Sequence, residues 1–304
     1  MNFYRFRALA LPLLFASIAL LVLVFIPGIG AGYGTAKSWI NFFGFSLQPS
    51  EVVKLTFLFY LASWFSAKGE HHLRDWRTGF LPFISLLMVI MVLMALQPDF
   101  GTMSIIVVMA LAVYFVAGGR ILYLTGLGAL GAAGLWLMVK ISPYRAARFT
   151  TFLHPELDPQ GIGYHINQAF LAVGSGGWLG KGAGASQIKL MYLPVPHTDF
   201  IFPVIAEENG FFGSMVIVLL FLALLIKGVR VARNAPSFYT TLAALGLTLM
   251  ITIQAFFNLS MATGLIPTKG IPLPFFSYGG SSILATLISV GIILNVSAHR
   301  NPVR

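Results

Sequence analysis

The sequence has no cysteine, and only 9% of its residues are charged. Without cysteine there can be no disulfide, no thiolate metal site and no thiol redox chemistry. Soluble domains carry about 25% charged residues. A chain that is 58% hydrophobic cannot cover itself with polar surface, so its solvent is lipid. Acidic residues are especially scarce, 9 against 19 Lys and Arg, for a formal net charge of +10. Those basic residues are too few and too scattered for a duplex-binding stripe. Nucleic acid is therefore not an expected partner, and anionic lipid is. The first apolar run lacks a small-residue cleavage site and is long enough to stay in the bilayer, so no cleavable signal peptide is expected.

A helix needs about 20 apolar residues to cross the hydrocarbon. Eight stretches approach this, at about 8–26, 50–66, 79–96, 102–117, 121–140, 203–226, 239–262 and 278–297. Open sheet edges are not tolerated in lipid. The expected fold is thus all-α: a polytopic integral membrane protein of about eight transmembrane helices, a single transmembrane domain over 1–304 with a long extracytoplasmic loop at 141–201. With the N-terminus in the cytoplasm, the cytoplasmic segments hold Arg5, Arg7, Lys68, Arg74, Arg77, Arg120, Lys227, Arg230, Arg233, Arg300 and Arg304. The opposite short loops, 27–49, 97–101 and 263–277, hold only Lys37 and Lys269. This asymmetry places both termini in the cytoplasm and the 141–201 loop outside.

That loop is about sixty residues long, far beyond an ordinary connection, which marks it as functional or partly ordered. It mixes aromatic residues with Arg145, Arg148, Lys181 and Lys189, and residues 164–173 show helix-like apolar spacing suited to a half-embedded amphipathic segment. Near its end, in PVPHTDFIFP, stands Asp199. Its position leaves two readings open: a general base on a sugar hydroxyl if burial raises its pKa, or a carboxylate capping the following helix. His197 is a rival base. Glu207 and Glu208 are adjacent on the next helix, about 100° apart, and so cannot share one site. Glu51 and Lys54, in QPSEVVK, are spaced to pair on one helix face, either as a structural ion pair or at a polar cavity. Asp99, in LQPDFGT, reads as an N-cap or a site carboxylate. The stretch PTKGIPLPFFSYGGSS, 267–282, is too rich in Pro and Gly for a helix and suits a re-entrant segment lining protein or water. Lys269 there could meet a phosphate, and Ser277 could donate a hydrogen bond. Nothing resembles a zinc site, a nucleophile elbow or a dinucleotide fingerprint, and no metal site is expected from the ligand spacing. An interfacial carboxylate, outward-facing basic groups and lipid-facing helices together suit a substrate with a pyrophosphate head and an isoprenoid tail.

The segments QPSEVVKL, LQPDFGT, GYHINQAFLAVGSGGWLGKG, LPVPHTDFIFPVIAEENGFFG and NLSMATGLIPTKGIPLPFFSYGGSS, in this order over nearly the whole chain, resemble the SEDS family of FtsW, RodA and SpoVE proteins. The resemblance implies a peptidoglycan glycosyltransferase. It would polymerise lipid II into glycan strands on the outer face of the bacterial cytoplasmic (inner) membrane, during division or elongation. A transporter that flips lipid II is the alternative. The resemblance implies Asp199 as the catalytic residue and matches Glu51, Lys54 and Lys269 to the family's polar positions; with Arg145 and Arg148 as cations for a pyrophosphate and Ser277 as a donor, these are the expected substrate-binding residues. It implies, as partners, lipid II, the nascent glycan strand, a class B penicillin-binding protein and other division or elongation proteins. A divalent cation such as magnesium or manganese is the cofactor class the chemistry admits. The PTKG lysine tilts the resemblance towards the FtsW branch. Family members carry about ten membrane helices, and the stretch ending VFIPGIG corresponds to their third, so the first two have no counterpart here.

Overall fold

The computed structural model describes residues 4–33, 36–42, 45–141, 150–158, 163–187, 197–268 and 270–299. Each of the eight apolar stretches falls on a helix: α1 (Tyr4–Leu23), α2 (Pro49–Leu73), α3 (Leu81–Leu96, entered through a π-helical turn at Trp76–Phe80), α4 (Phe100–Val116) and α5 (Ile121–Ile141), then α7 (Ile201–Arg233), α8 (Phe238–Ala262) and α9 (Gly280–Ala298). The amphipathic segment of the long loop forms a further helix, α6 (Tyr164–Ser175). The fold is that of an all-α polytopic membrane protein. By length and composition Trp76–Leu96, α7, α8 and α9 are long and apolar enough to cross a bilayer, while Arg7–Leu23, Phe100–Val116 and Ile121–Gly134 are shorter apolar helices. α2 is long enough, but it carries Glu51, Lys54, Lys68 and Glu70.

One element was not expected from the apolar pattern. The short loop 27–49 holds a three-stranded antiparallel sheet, β1 (Gly30–Tyr33), β2 (Ala36–Phe42) and β3 (Phe45–Leu47), with Gly30 opposite Ile40 and Ile40 opposite Leu47. It lies between helices and not within an apolar span, so its edges need no partner inside hydrocarbon.

Contacts divide the chain into two compact units. One comprises Met1–Leu124, Leu224–Ile253 and Gly279–Arg304; the other comprises Thr125–Ala223 and Gln254–Tyr278. In the first, α2 is buried on nearly every side, from Val53 through Ala62, as expected of a helix apolar all round. Polar contacts fix α1 against its neighbours: Ser17 Oγ and Thr56 Oγ1 of α2 lie 2.7 Å apart, and Gln97 Nε2, just past α3, donates to the Leu21 carbonyl at 2.8 Å. At the other end of α2, Phe65, Phe83 and Tyr114 form an aromatic core. The Phe83 and Tyr114 rings stack at 4.8 Å, and the Tyr114 hydroxyl donates to the Leu73 carbonyl at 2.7 Å.

The second unit is organised by a break in α7. Gly210 adopts φ 67°, ψ −164°, a conformation essentially confined to glycine, and interrupts the helix. The strand of loop after α6 inserts its own backbone into the gap. Phe211 N donates to Gly177 O at 2.8 Å and Phe212 N to Trp178 O at 3.3 Å. In return Lys181 N and Gly182 N donate to the carbonyls of Glu207 and Glu208, each at 3.0 Å. The approach is so close that a Cβ on Gly210 would stand 2.3 Å from Gly180 N. Gly210→Ala is therefore expected to destabilise the purified protein by on the order of 2–4 kcal/mol, seen as a lowered Tm in detergent. Gly291→Ala on α9, where a Cβ meets open space, is expected to leave Tm unchanged or slightly raised.

Candidate active site

The residues 197–200 form the turn that enters α7, within the second unit. Three successive carbonyls of this turn are tied down. Tyr278 N donates to His197 O at 2.8 Å, Ser277 Oγ to Thr198 O at 2.6 Å, and Asn258 Nδ2 to Asp199 O at 2.8 Å. The donors come from α8 and from the Pro-rich segment that follows it. That segment is itself held to α8 by Asn258 Nδ2 to Ile271 O (2.7 Å) and Gln254 Nε2 to Pro272 O (3.0 Å). Leu273 N donates to Ser277 Oγ at 2.7 Å, closing a turn in which Phe275 is forced to φ 70°. A bulky residue at positive φ is a strained conformation, and it persists only where neighbours over-determine it. Here the segment is non-helical, as its prolines and glycines require, and it is fastened at both ends.

This lacing positions the Asp199 carboxylate. A Cβ placed on Gly270 would stand 3.3 Å from Asp199 Oδ2, so the PTKG segment passes directly beside the acid. Among the described residues no ion pair or side-chain donor meets this carboxylate. Burial alone pushes its pKa up, from 3.8 to about 6. Among the described residues no backbone amide is capped by it, and a carboxylate whose pKa lies near neutrality can take a proton from a hydroxyl. His197 is exposed.

The other predicted residues divide. Ser277 is buried, and its hydroxyl both donates to Thr198 O and accepts from Leu273 N, so it acts here as a tie between two segments. Glu51 and Lys54 belong to the first unit, where they form a buried ion pair at 2.8 Å. Near them Asp99 caps α4 through Thr102 N (3.2 Å) and accepts from Ser50 Oγ (2.9 Å) and Gln48 Nε2 (3.1 Å). Arg145, Arg148 and Lys269 lie outside the described residues. Of the acidic pair, Glu207 is fully buried and accepts from Lys181 Nζ at 2.7 Å and Ser186 Oγ at 2.6 Å, pinning the inserted loop to the first half of α7. Sequence reasoning passed over Gln254 and Asn258. Their signal was two amides four residues apart in an otherwise apolar helix.

An integral membrane protein with a broken helix, a laced Pro-rich segment and one raised-pKa carboxylate is a class that comparison narrows further. The chain belongs to the FtsW, RodA and SpoVE family of cell cycle proteins, whose profile matches residues 1–302. It is 42% identical over 298 residues to stage V sporulation protein E of Bacillus subtilis, with 98% of this chain and 81% of that protein covered. It is 43% identical over 297 residues to a probable peptidoglycan glycosyltransferase FtsW of Trichlorobacter lovleyi, covering 98% and 78%. Among solved structures, a chain from a peptidoglycan synthase complex that coordinates polymerization and crosslinking superposes with a TM-score of 0.82 at 31% identity, covering 100% of this chain and 84% of that one. The rod shape determining protein RodA of Thermus thermophilus gives a TM-score of 0.71 at 30% identity, covering 100% and 82%.

The buried Glu51–Lys54 pair carries its own test. Removing one partner leaves an uncompensated buried charge, so Lys54→Met is expected to cost about 3–5 kcal/mol. The double change Glu51→Gln with Lys54→Met is expected to recover most of that loss when the two variants are compared by thermal unfolding in detergent.

Proposed function

We propose that this protein is a peptidoglycan glycosyltransferase that polymerises lipid II into glycan strands, with Asp199 as its general base. The observation that carries the reading is the half-buried Asp199, clamped through its backbone and raised to a pKa of about 6. The FtsW relative bears the name of this activity, and the matched synthase complex is described as polymerizing and crosslinking peptidoglycan. In the proposed reaction Asp199 accepts the proton of the acceptor 4-hydroxyl as its oxygen attacks the anomeric carbon of the donor. The bond from that carbon to the polyprenyl pyrophosphate breaks on the opposite face, so the configuration inverts. The negative charge that develops on the departing pyrophosphate needs cationic stabilisation, for which Arg145, Arg148 and Lys269 are the candidates. A divalent ion such as magnesium or manganese would arrive with the pyrophosphate as counter-charge. Among the described residues no group of three His, Asp or Glu side chains is assembled to hold one. Ser277 holds the Asp199 turn in place, while Glu51 and Lys54, expected as substrate-binding residues, form a buried ion pair within the first unit.

The charge asymmetry of the short loops supports an orientation with both termini in the cytoplasm and Asp199 at the outer face of the cytoplasmic membrane. The likeness to a synthase complex supports a class B penicillin-binding protein as partner, together with other division or elongation proteins. A lipid II transporter would not require a base at Asp199, and the same assay separates the two readings.

Purified protein supplied with lipid II, with and without its transpeptidase partner, is expected to form glycan chains. Asp199→Ala is expected to lower the rate by about 10²–10⁴-fold. A variant that folds normally and polymerises at full rate would overturn the assignment. Because the base must be ionised, activity is expected to fall as pH drops through about 6. Stability runs the other way. The folded state keeps the Asp199 proton up to about pH 6 while the unfolded chain releases it near 3.8, so this group lowers stability as pH rises through that window. Asp199→Asn is therefore expected to be inactive yet to melt at or above the wild-type Tm at neutral pH.

A further inference from the structure

In the first unit, the C-terminal part of α7, the N-terminal half of α8 and α9 enclose a cavity of about 420 Å³. This is within the range of about 300–1,000 Å³ typical of small-molecule sites. Its two main walls are helix faces with the same spacing. Leu224, Lys227, Gly228 and Val231 line it from α7, and Val290, Ile293, Leu294 and Ser297 line it from α9. Each set follows i, i+3, i+4, i+7, one continuous stripe of a helix. Thr248 of α8 adds to the lining where α7 and α8 come so close that a Cβ on Gly228 would stand 2.3 Å from Thr248 Oγ1. Nearby, Ala232, Ala244, Leu245 and Val296 cluster as a buried core that joins the three helices.

The lining is divided in character. Leu224, Val290, Ile293 and Leu294 supply an apolar wall. Lys227, Arg230 and Ser297 gather within the last turns of α7 and α9, and among the described residues no acidic side chain lines the cavity. Both basic side chains are exposed. Lys227 and Arg230 suit the negative end of a helix dipole, but that role calls for neither a cavity nor a matching apolar stripe on a second helix. A basic opening above an apolar slot between membrane helices matches a molecule with an anionic head and a hydrocarbon tail.

We propose that this cavity is a binding site for an anionic glycerophospholipid, its phosphate at Lys227 and Arg230 and an acyl chain along Leu224, Ile293 and Leu294. The site is separate from the Asp199 region and does not depend on the glycosyltransferase reading. In the orientation proposed above it opens to the cytoplasmic leaflet. The test is native mass spectrometry of the purified protein after exchange into mixed phosphatidylglycerol and phosphatidylcholine micelles. Wild type is expected to retain phosphatidylglycerol preferentially. The charge variant Lys227→Gln with Arg230→Gln is expected to lose that preference by on the order of tenfold or more. Leu294→Trp, which fills the slot and leaves the charge intact, is expected to weaken retention as well, while glycerol 1-phosphate, a head without a tail, is expected not to compete. Equal retention of the two lipids by wild type, or a preference that survives in the charge variant, would overturn the proposal. So would phosphatidylglycerol retention unaffected by Leu294→Trp, or a preference abolished by glycerol 1-phosphate, since either would reduce the effect to surface charge.

Discussion

Backbone polar groups that leave a helix need partners elsewhere in the protein, and the architecture of the second unit follows from that constraint. A helix can break there only if every amide and carbonyl it releases finds another partner in the protein. At Gly210 the partners come from residues 177–182, which exchange four backbone hydrogen bonds with α7. In the turn that enters the same helix the carbonyls of 197–199 are taken by Tyr278 N, Ser277 Oγ and Asn258 Nδ2. The first nine residues of α7 are thus fastened at both ends to segments distant in sequence, and Asp199 is carried on the element so fastened. A carboxylate on a free loop could not be held where burial raises its pKa.

Much of this was legible from residue pattern. The eight apolar stretches all became helices, the spacing within 164–173 marked α6, and the Pro and Gly content of 267–282 excluded a helix there, as the structure shows up to Gly279. Apolar count does not report pairing, however, so the sheet at 30–47 went unread: a strand in a polar connection leaves only a short alternation that turn residues obscure. The partners of Glu207 were invisible for a related reason. Lys181 and Ser186 are more than twenty residues away, and only the break at Gly210 makes the loop cross the helix. For Asp199, position left a helix cap and a base equally open. Its oxygens could be told apart from those of a cap only by seeing which donors surround them.

Four carboxylates near apolar helices make that distinction quantitative in kind. Glu51 is paired with Lys54, Asp99 accepts from Gln48, Ser50 and Thr102, and Glu207 accepts from Lys181 and Ser186. Each of these carboxylates is engaged by donors that a fold can use as struts. Asp199 is treated in the opposite way. Its backbone carbonyl is tied, but among the described residues no side-chain donor reaches its carboxylate, and its pKa is raised by burial. An unpaired charge partly withdrawn from water costs stability, so a site that keeps one is a functional candidate. The chain has donors enough in this region, with Ser277 bonded to the Thr198 carbonyl and Asn258 to the Asp199 carbonyl, yet both are aimed at the main chain. Directing the donors to the main chain and leaving the carboxylate bare fixes the position of the acid without lowering its basicity. That combination is what proton abstraction from a sugar hydroxyl near neutral pH requires, and a helix cap does not.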